Sequence, residues 1–458
     1  MIRHIRASAL WCLAVVGVFP LYAQQKEHTL GSLWPTVEEN YPGVSAKVSS
    51  IDAAKFNQQV VKDNLLPQVN AQAQNTYGSY QGSSGGFFPQ PGFFNVSGST
   101  PLAGSSTAAN TFGSATMEWE LFSFGKHRFE NEAAGALYDK SLSEKEAYLL
   151  QLKKSLSERY IILLYNNAKL QWATKNGQRL NDIRKITSGL SASGLRPAAD
   201  SLLASSSHIQ AQGQMDKWTG YKTAAFIQLL ELYGHDSVDY TASANRFTNP
   251  DEYHVKVNTL DSLHPVLDVL NKQADYYTWS GQAQKRAILP SVKLLGGYAF
   301  RGTGISPNGT VSGAWKDGFS NGSNNFLAGI GITWNLTNLH TGRLKGKKLF
   351  KEAESTKFTH SQYQQAMQAD LSAGQAKILK QYQQLGKTSH AIAQSQAAYM
   401  MYLARYKSGL ITLSELLQIR LLLEQAENAH IEASRDYWVL LAHQAALTAD
   451  FDFLFNNL

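Results

Sequence analysis

The sequence predicts a mostly helical protein whose two equivalent halves each combine long helices with a pair of β-strands. Two observations carry this prediction. The segment 119–212 recurs without a gap as the segment 334–427. In each copy, a two-residue alternation of apolar side chains gives way to a very long segment with helical periodicity. The repeat is far longer than the unit of a solenoid, so we expect one pseudo-two-fold body rather than an array.

Matched residues define this internal duplication. One constant shift relates Trp119 to Trp334, Tyr148 to Tyr363, Ser193-Gly194-Leu195 to Ser408-Gly409-Leu410, and Asp200 to Glu415. A second, slightly larger shift relates Pro42 to Pro265 and Pro67 to Pro290. Each element of the first half therefore has a predictable counterpart in the second half.

The segment 1–23 is typical of a secretory signal peptide. Arg3 and Arg6 precede an apolar run, and the small residue Ala23 offers a cleavage site. The run is shorter than the ~18 residues that a membrane anchor needs. The only cysteine, Cys12, lies in this segment, so the mature chain offers no disulfide or cysteine–metal site. The formal charge of +7 shows no clustered basic run and does not indicate nucleic-acid binding.

The first half begins with a lead-in and a helix, residues 24–66, which Pro67 ends because it disfavours helical geometry in the residue before it. Residues 67–122 form a predicted β-hairpin. Its strands, 67–77 and 113–121, alternate apolar and polar side chains, and a loop rich in Gly, Ser, Pro and Phe, 81–110, joins them. We expect Trp119, near a strand end, to lie at a membrane interface.

The second half repeats this order. A connector and helix, residues 235–289, lead into a second hairpin, 290–337, with strands 290–301 and 326–336, a loop at 302–324, and Trp334 in the position of Trp119. Four half-buried strands of a soluble sheet would show the same alternation; the signal peptide and the matched pairs favour membrane strands. Four strands cannot close a barrel, whereas about eight or more can, so the chain should oligomerise, and a trimer would supply twelve strands.

Each hairpin precedes a long helical hairpin, at residues 123–234 and 338–450. The segment from Arg128 to Gly194 would form a helix of about 100 Å, and Asn176-Gly177 suggests a bend in it. The Ser-Gly-Leu turns reverse the chain, since glycine adopts the left-handed helix end. The return helices, 195–233 and 410–448, are too short to cover the outbound helix. We expect the helices that precede the β-hairpins to extend them end to end. A short apolar tail, 451–458, closes the chain.

The duplicated order and its local text resemble the outer membrane efflux protein (TolC) family. The motifs that carry the resemblance are Leu66-Pro67-Gln68, Leu289-Pro290-Ser291 and Tyr406-Lys407-Ser408-Gly409-Leu410. The match covers about residues 28–450. It implies a homotrimer with a 12-stranded barrel among the lipids of a Gram-negative outer membrane and a coiled-coil periplasmic tunnel. It also implies a periplasmic adaptor and an inner-membrane pump, of resistance or ABC type, as partners.

The resemblance further implies roles for individual residues. The turns Ser193-Gly194-Leu195 and Ser408-Gly409-Leu410 would be tips where adaptors dock. Glu415 matches an acid that narrows the tunnel entrance, whereas Gln418 replaces a second acid. Asp200 matches a carboxylate that holds the entrance closed. The alternative interpretation of Asp200 and Glu415 is simpler, because an acid in the first turn of a helix is favoured by the helix dipole.

No enzyme is predicted. The histidines are scattered and the sequence contains no His-Glu-x-x-His zinc motif, phosphate loop or Gly-x-Ser-x-Gly elbow. We therefore expect no catalytic residue, cofactor or metal site. The competing hypothesis is an exported coiled-coil scaffold or adhesin without a conduit, and the four alternating strands at matched places speak against it. The sequence does not identify a transported substrate.

Overall fold

A computed structural model describes residues 29–79, 83–84, 100–101, 103–253 and 264–458. The predicted signal peptide and much of the loop at 81–110 lie outside these ranges. The helices are α1 Leu30–Asn40, α2 Pro42–Asp63, α3 Lys126–Ala192, α4 Ala198–Tyr233, α5 Thr241–Phe247, α6 Pro265–Arg286, α7 Asn338–Lys407, α8 Leu413–Thr448 and α9 Asp452–Asn457. The strands are β1 Gln68–Ser79, β2 Ser83–Ser84, β3 Thr100–Pro101, β4 Ala103–Gly104, β5 Thr107–Phe122, β6 Ser291–Thr303, β7 Thr310–Val311 and β8 Ser323–Thr333.

The four long strands form one antiparallel sheet in the order β1-β5-β6-β8. Strand alternation gives the sheet two faces. The apolar face carries Val69, Ala71, Ala115, Met117, Leu294, Tyr298, Phe326 and Ile330, and the polar face carries Gln68, Asn70, Gln72, Ser114, Thr116, Glu118 and Asn325. Phe326 is 87% exposed, so the apolar face is uncovered at β8 in the single chain.

The strand boundaries correct the sequence prediction in three places. β5 begins at Thr107, inside the predicted loop at 81–110, because residues from Thr107 onward pair with β1. The predicted loop at 302–324 contains the end of β6, β7, a 3-10 helix, Trp315–Phe319, and the start of β8. β8 ends at Thr333, so Trp334 follows the strand rather than lying within it. Polar and small residues in these segments hide the alternation that pairing imposes.

The long helices match the predicted lengths closely. α3 has 67 residues and α7 has 70, while the return helices α4 and α8 have 36 each. α3 runs unbroken through Asn176-Gly177, where the sequence suggests a bend. A Cβ on Gly177 would lie 3.0 Å from Met215 Sδ, so this glycine permits a close approach of α4. α2 and α4 both pack along α3, and α6 and α8 both pack along α7.

The largest hydrophobic core lies around the middle of the long helices. The predicted apolar stripe of α3, Leu149, Leu152, Leu156, Tyr160 and Leu163, is buried there. α1, α5 and α9 wrap this region; the lead-in residues Leu30 and Leu33 are fully buried. The indole of Trp438 donates to the Phe247 carbonyl at 3.0 Å, which ties α8 to the connector between the halves. No helix in the described ranges is sufficiently long and apolar to span a membrane.

Candidate functional site

The two helical hairpins end in turns of the same geometry. Gly194 and Gly409 have left-handed backbone angles, with φ of 75° and 76°. Beyond each glycine, a leucine amide bonds back into the outbound helix: Leu195 to the Leu190 carbonyl and Leu410 to the Arg405 carbonyl, both at 2.9 Å. This pattern satisfies carbonyls that a helix end leaves unpaired. Leu195 and Leu410 are 70% and 69% exposed, so each turn presents an apolar side chain to solvent.

One arginine joins the two turns. Arg196 Nη2 donates to the Ile411 carbonyl at 2.5 Å, and the guanidinium lies 5.2 Å from the centre of the Tyr406 ring. The Tyr406 hydroxyl is 3.0 Å from Thr187 Oγ1. These residues sit at a small core formed by Ile183, Ala204, Tyr399, Tyr406, Ile411, Leu413, Leu416 and Leu423. The tips are therefore packed together as one unit within the chain.

Glu415 lies in the first turn of α8 and completes a capping box with Thr412. The Thr412 amide donates to Glu415 Oε2 at 2.7 Å, and the Glu415 amide donates to Thr412 Oγ1 at 3.3 Å. The hydrogen bonds from the Thr412 backbone and hydroxyl hold the pKa of Glu415 below its ordinary value. Glu415 and Gln418 are both exposed, whereas Leu413 and Leu416 are buried, so the two polar residues share the outward side of α8.

Asp200 occupies the equivalent position in α4 but has different surroundings. The residue that precedes α4 is Pro197, which offers no hydroxyl to cap the helix. Within the described part of the chain, the Asp200 carboxylate forms no ion pair or side-chain hydrogen bond. The helix dipole still favours an acid in this first turn.

A row of ionic and polar contacts joins the two halves along α3 and α8. Arg179 makes a two-pronged ion pair with Glu427, at 2.7 and 2.5 Å. Arg420 Nη1 donates to Asn176 Oδ1 at 2.7 Å. Lys169 is buried, donates to Glu432 at 3.0 Å and also bonds Asn428. We call this row, Lys169, Asn176, Arg179, Arg420, Glu427, Asn428 and Glu432, the ionic seam.

Aromatic rings surround the Lys169 amine. Its Nζ lies 5.3 Å from the centres of the Tyr165 and Trp218 rings and 5.5 Å from that of Trp172. Such rings attract a cation with their negative faces. The bond from Lys169 is the largest cause that lowers the pKa of Glu432. A buried charge of this kind is tolerated because it is both paired and hydrogen-bonded.

A model of the family described as "outer membrane efflux protein" matches residues 33–235 and 271–448. The chain belongs to this family. A comparison with curated protein sequences finds no match. The family and the fold are those of transport proteins, and the described residues contain no cluster of three or more His, Cys, Asp or Glu able to hold a metal ion.

Solved structures of outer-membrane channels share the fold. VceC of Vibrio cholerae is 15% identical with a TM-score of 0.71, and the alignment covers 92% of this chain and 96% of VceC. CusC is 14% identical with a TM-score of 0.72, covering 92% of each chain. The outer-membrane channel OprN is 16% identical with a TM-score of 0.71, covering 92% of this chain and 89% of OprN. At these identities the likeness establishes the efflux-protein fold.

The matched tryptophans of this efflux protein make matched hydrogen bonds. Trp119 Nε1 donates to the Leu65 carbonyl at 2.8 Å, and Trp334 Nε1 donates to the Ile288 carbonyl at 3.0 Å. Each bond joins the end of a β-hairpin to the short segment that links the preceding helix to that hairpin. Both rings remain partly exposed. A place at the membrane interface stays a prediction for both.

The structure thus brings Gly194, Leu195, Gly409 and Leu410 together at one end, with Asp200, Glu415 and Gln418 just behind them, while Trp119 and Trp334 lie at the sheet. Sequence reasoning missed Arg196 and the ionic seam. Their partners are separated by 215 to 263 residues. The available signal was the set of charged residues on α3 and α8, and periodicity alone does not pair such charges.

Proposed function

We propose that three copies of this chain form an outer-membrane channel with a periplasmic tunnel, which conducts substrates from an inner-membrane pump to the cell exterior. Family membership and the channel fold support the class of function. A tripartite efflux or type I secretion system, with a periplasmic adaptor at the tips, is the setting that the family implies.

The observation that carries the proposal is an incomplete set of neighbours around α7. In the first half, α3 packs against α2, α4, α6 and α8. Its counterpart α7 has only α6 and α8 as main neighbours within the described ranges. The repeat predicts that α7 should also pack against an α2 and an α4. Since α2 and α4 of the same chain are not among the main neighbours of α7 within the described ranges, a second copy would supply them.

Exposed apolar side chains lie on the helix surfaces that such a copy would cover. On α7, Phe358 and Met401 are exposed; on α4, Leu202 and Ile209; and on α2, Phe56. Exposed apolar side chains grouped on a protein surface are typical of a region that becomes buried when two proteins associate. The edges β1 and β8 also lack partners within the described sheet, and pairing β8 with β1 of the next copy would remove both edges.

The tunnel entrance would lie at the tips. Three-fold symmetry would gather three copies of Glu415 around one axis, with Gln418 beside them and Asp200 near the first tip. Three carboxylates in a confined space attract cations and repel one another. The capping box fixes the orientation of the Glu415 side chain but leaves it exposed to solvent. Its structural role and its role in the entrance are therefore compatible.

Cross-linking tests the proposed assembly. The repeat maps the ion pair Arg179–Glu427 onto Gln394 of α7 and Gln212 of α4, which are both exposed. The double variant Gln394→Cys/Gln212→Cys should therefore cross-link between chains and produce species up to three subunits. The matched control Arg179→Cys/Glu427→Cys should cross-link within one chain and keep the mobility of a monomer.

Two results would contradict the proposal. A ladder extending beyond three subunits would support the coiled-coil scaffold instead. If the purified trimer shows no conductance in planar bilayers at either sign of the applied voltage, the chain does not form a conduit. Detergent extraction of the protein from outer membranes provides the localisation readout.

A further inference from the structure

The 3-10 helix Trp315–Phe319 lies on the apolar face of the sheet, at the end far from the long helices. Tyr77, Ala109 and Gly302 are on this face by strand register. A Cβ on Gly318 would lie 2.8 Å from Ala109 Cβ, and a Cβ on Gly302 would lie 2.6 Å from the Gly318 carbonyl oxygen. The backbone of the 3-10 helix therefore rests directly on β5 and β6.

Hydrogen bonds fix this segment in place. The Tyr77 hydroxyl donates to the Gly313 carbonyl at 3.0 Å, and the Tyr77 ring lies 6.1 Å from that of Trp315. The Ser312 hydroxyl donates to Asp317 Oδ2 at 2.6 Å. At the other end, the Thr303 amide donates to the Ser320 carbonyl at 2.8 Å. These contacts hold the 3-10 helix in a defined position on the surface of the sheet.

Its large apolar side chains nevertheless point outward. Trp315 is 55% exposed and Phe319 is 58% exposed, while Gly318 between them is buried against the sheet. Lys316 is also exposed. A lysine beside aromatic rings suits a boundary where the rings enter an apolar phase and the amine stays among polar groups.

The distance along β5 between the position beneath the 3-10 helix and Trp119 supplies the second line of evidence. Ala109, beneath the 3-10 helix, and Trp119 are ten residues apart on this strand. At ~3.3 Å per residue the separation is about 33 Å, and a strand tilt of about 40° reduces it to roughly 25 Å along the membrane normal. Transmembrane barrels have an apolar band of roughly this height, with aromatic residues at both edges.

Most side chains between the two levels suit that band, and the polar exceptions lie at the end near the 3-10 helix. On the apolar face, the rows of Met117 and Ala115 contain apolar residues and glycine. Asn324 lies opposite Phe300 in the next row, and the row after it, toward Tyr77, is polar, with Asn75 Nδ2 donating to Thr111 Oγ1 at 2.7 Å. The 3-10 helix covers the sheet next to this polar row. It therefore sits where the apolar band ends.

We propose that Trp315–Phe319 is an interfacial anchor, and that its partner is the lipid of the outer leaflet. Trp315 and Phe319 enter the boundary between headgroups and acyl chains, and Lys316 faces the headgroups. The anchor complements the level of Trp119 and Trp334 at the opposite interface. This inference rests on the proposed placement of the sheet in a membrane.

Site-directed spin labelling tests the anchor without background labelling, because the mature chain is expected to lack cysteine. Phe319→Cys reports on the 3-10 helix. Ile330→Cys on the apolar face of β8 is the control for lipid exposure, and Pro307→Cys in the exposed turn before β7 is the control for water. Each labelled protein is placed in lipid nanodiscs, and collisions with oxygen, which favours lipid, are compared with collisions with a water-soluble nickel complex.

At positions 319 and 330 we expect the oxygen collisions to exceed the nickel collisions, with the reverse at 307 and a shallower depth at 319 than at 330. Water-like behaviour at 319 with lipid-like behaviour at 330 would overturn the anchor alone. Shielding from both reagents at 319 would show that protein covers the segment and would overturn it as well. Water-like behaviour at both 319 and 330 would instead reject the membrane placement of the sheet, and the anchor with it.

Discussion

The two tips share one turn but enter their return helices differently. Ser193-Gly194-Leu195 is followed by Arg196 and Pro197, whereas Ser408-Gly409-Leu410 is followed by Ile411 and Thr412. The second tip supplies its own helix cap through Thr412 and Glu415. The first tip has no such cap, and its Arg196 donates to the carbonyl of Ile411, its own counterpart in the repeat. The second tip is locally self-sufficient, and the first depends on it.

Removal of the arginine should have the largest effect on this relationship. Arg196→Ala deletes a charge-assisted hydrogen bond and a cation–π contact, which together contribute about 2–3 kcal/mol. We expect faster amide hydrogen exchange in the first tip than in the second, since the second keeps its capping box. Arg196→Lys retains the charge and should show a smaller increase. If amide hydrogen exchange accelerates equally in both tips, the first tip does not depend on this bond more than the second tip does.

Substitution of the turn glycines probes what the tips share. Valine at a left-handed position costs roughly 1–2 kcal/mol. Gly194→Val and Gly409→Val should therefore distort their turns to a similar degree and reduce export in cells, while trimers still assemble in the membrane. Gly386→Val provides a control in the middle of α7, because a Cβ there meets nothing within 4 Å and its counterpart in α3, Gln171, is exposed. If export is unchanged in both tip variants, the tips are not the adaptor-docking sites.

Loss of the second cap should have a smaller effect, confined to the start of α8. Thr412→Ala removes a helix cap worth about 1 kcal/mol. Because Thr412 lowers the pKa of Glu415 in the folded state, the contribution of the box is present above the ordinary pKa of a glutamate. It is lost as the pH falls through the lowered value. The backbone amide of residue 412, the largest cause of the lowered pKa, is kept in Thr412→Ala. Hydrogen exchange at α8 should thus respond to acid in the wild type, less in Thr412→Ala, and not in Glu415→Gln; the same response in all three proteins would count against this account.

The smallest structural effect is expected from neutralising the acids at the two tips. Glu415→Gln should leave the trimer intact but reduce cation preference and multivalent block in planar-bilayer conductance, and salt should screen the wild-type effect over about 10 Å at 0.1 M. Asp200→Asn, with no partner in the described chain, is the comparison. Unchanged selectivity in Glu415→Gln would leave Glu415 as a helix cap only.

The sequence predicted what repeats and periodicity encode. The apolar stripe through Leu156 and Tyr160 is buried as expected, and the Ser-Gly-Leu turns lie at the helix ends. It did not predict the fold-back of Leu30 and Leu33 into the core or the bond from Arg196 to Ile411. Periodicity shows which side of a helix is apolar, but it does not show which distant element covers that side. The bonds of Trp119 and Trp334 escaped for the same reason, since a backbone carbonyl leaves no mark in a sequence.

The ionic seam has a consequence for the evolution of such a chain. Its residues map through the repeat onto Gln384, Ala391 and Gln394 of α7 and onto Ser205, Gln212, Gly213 and Lys217 of α4, a set without opposite charges to pair. A ring built from identical single-repeat chains would place the same residues in every seam, so one mutation would alter them all. Duplication within one gene removes that constraint. In the proposed trimer, a seam that closes during folding and a seam that closes during assembly could then acquire different chemistry, the first with ion pairs and the second without them.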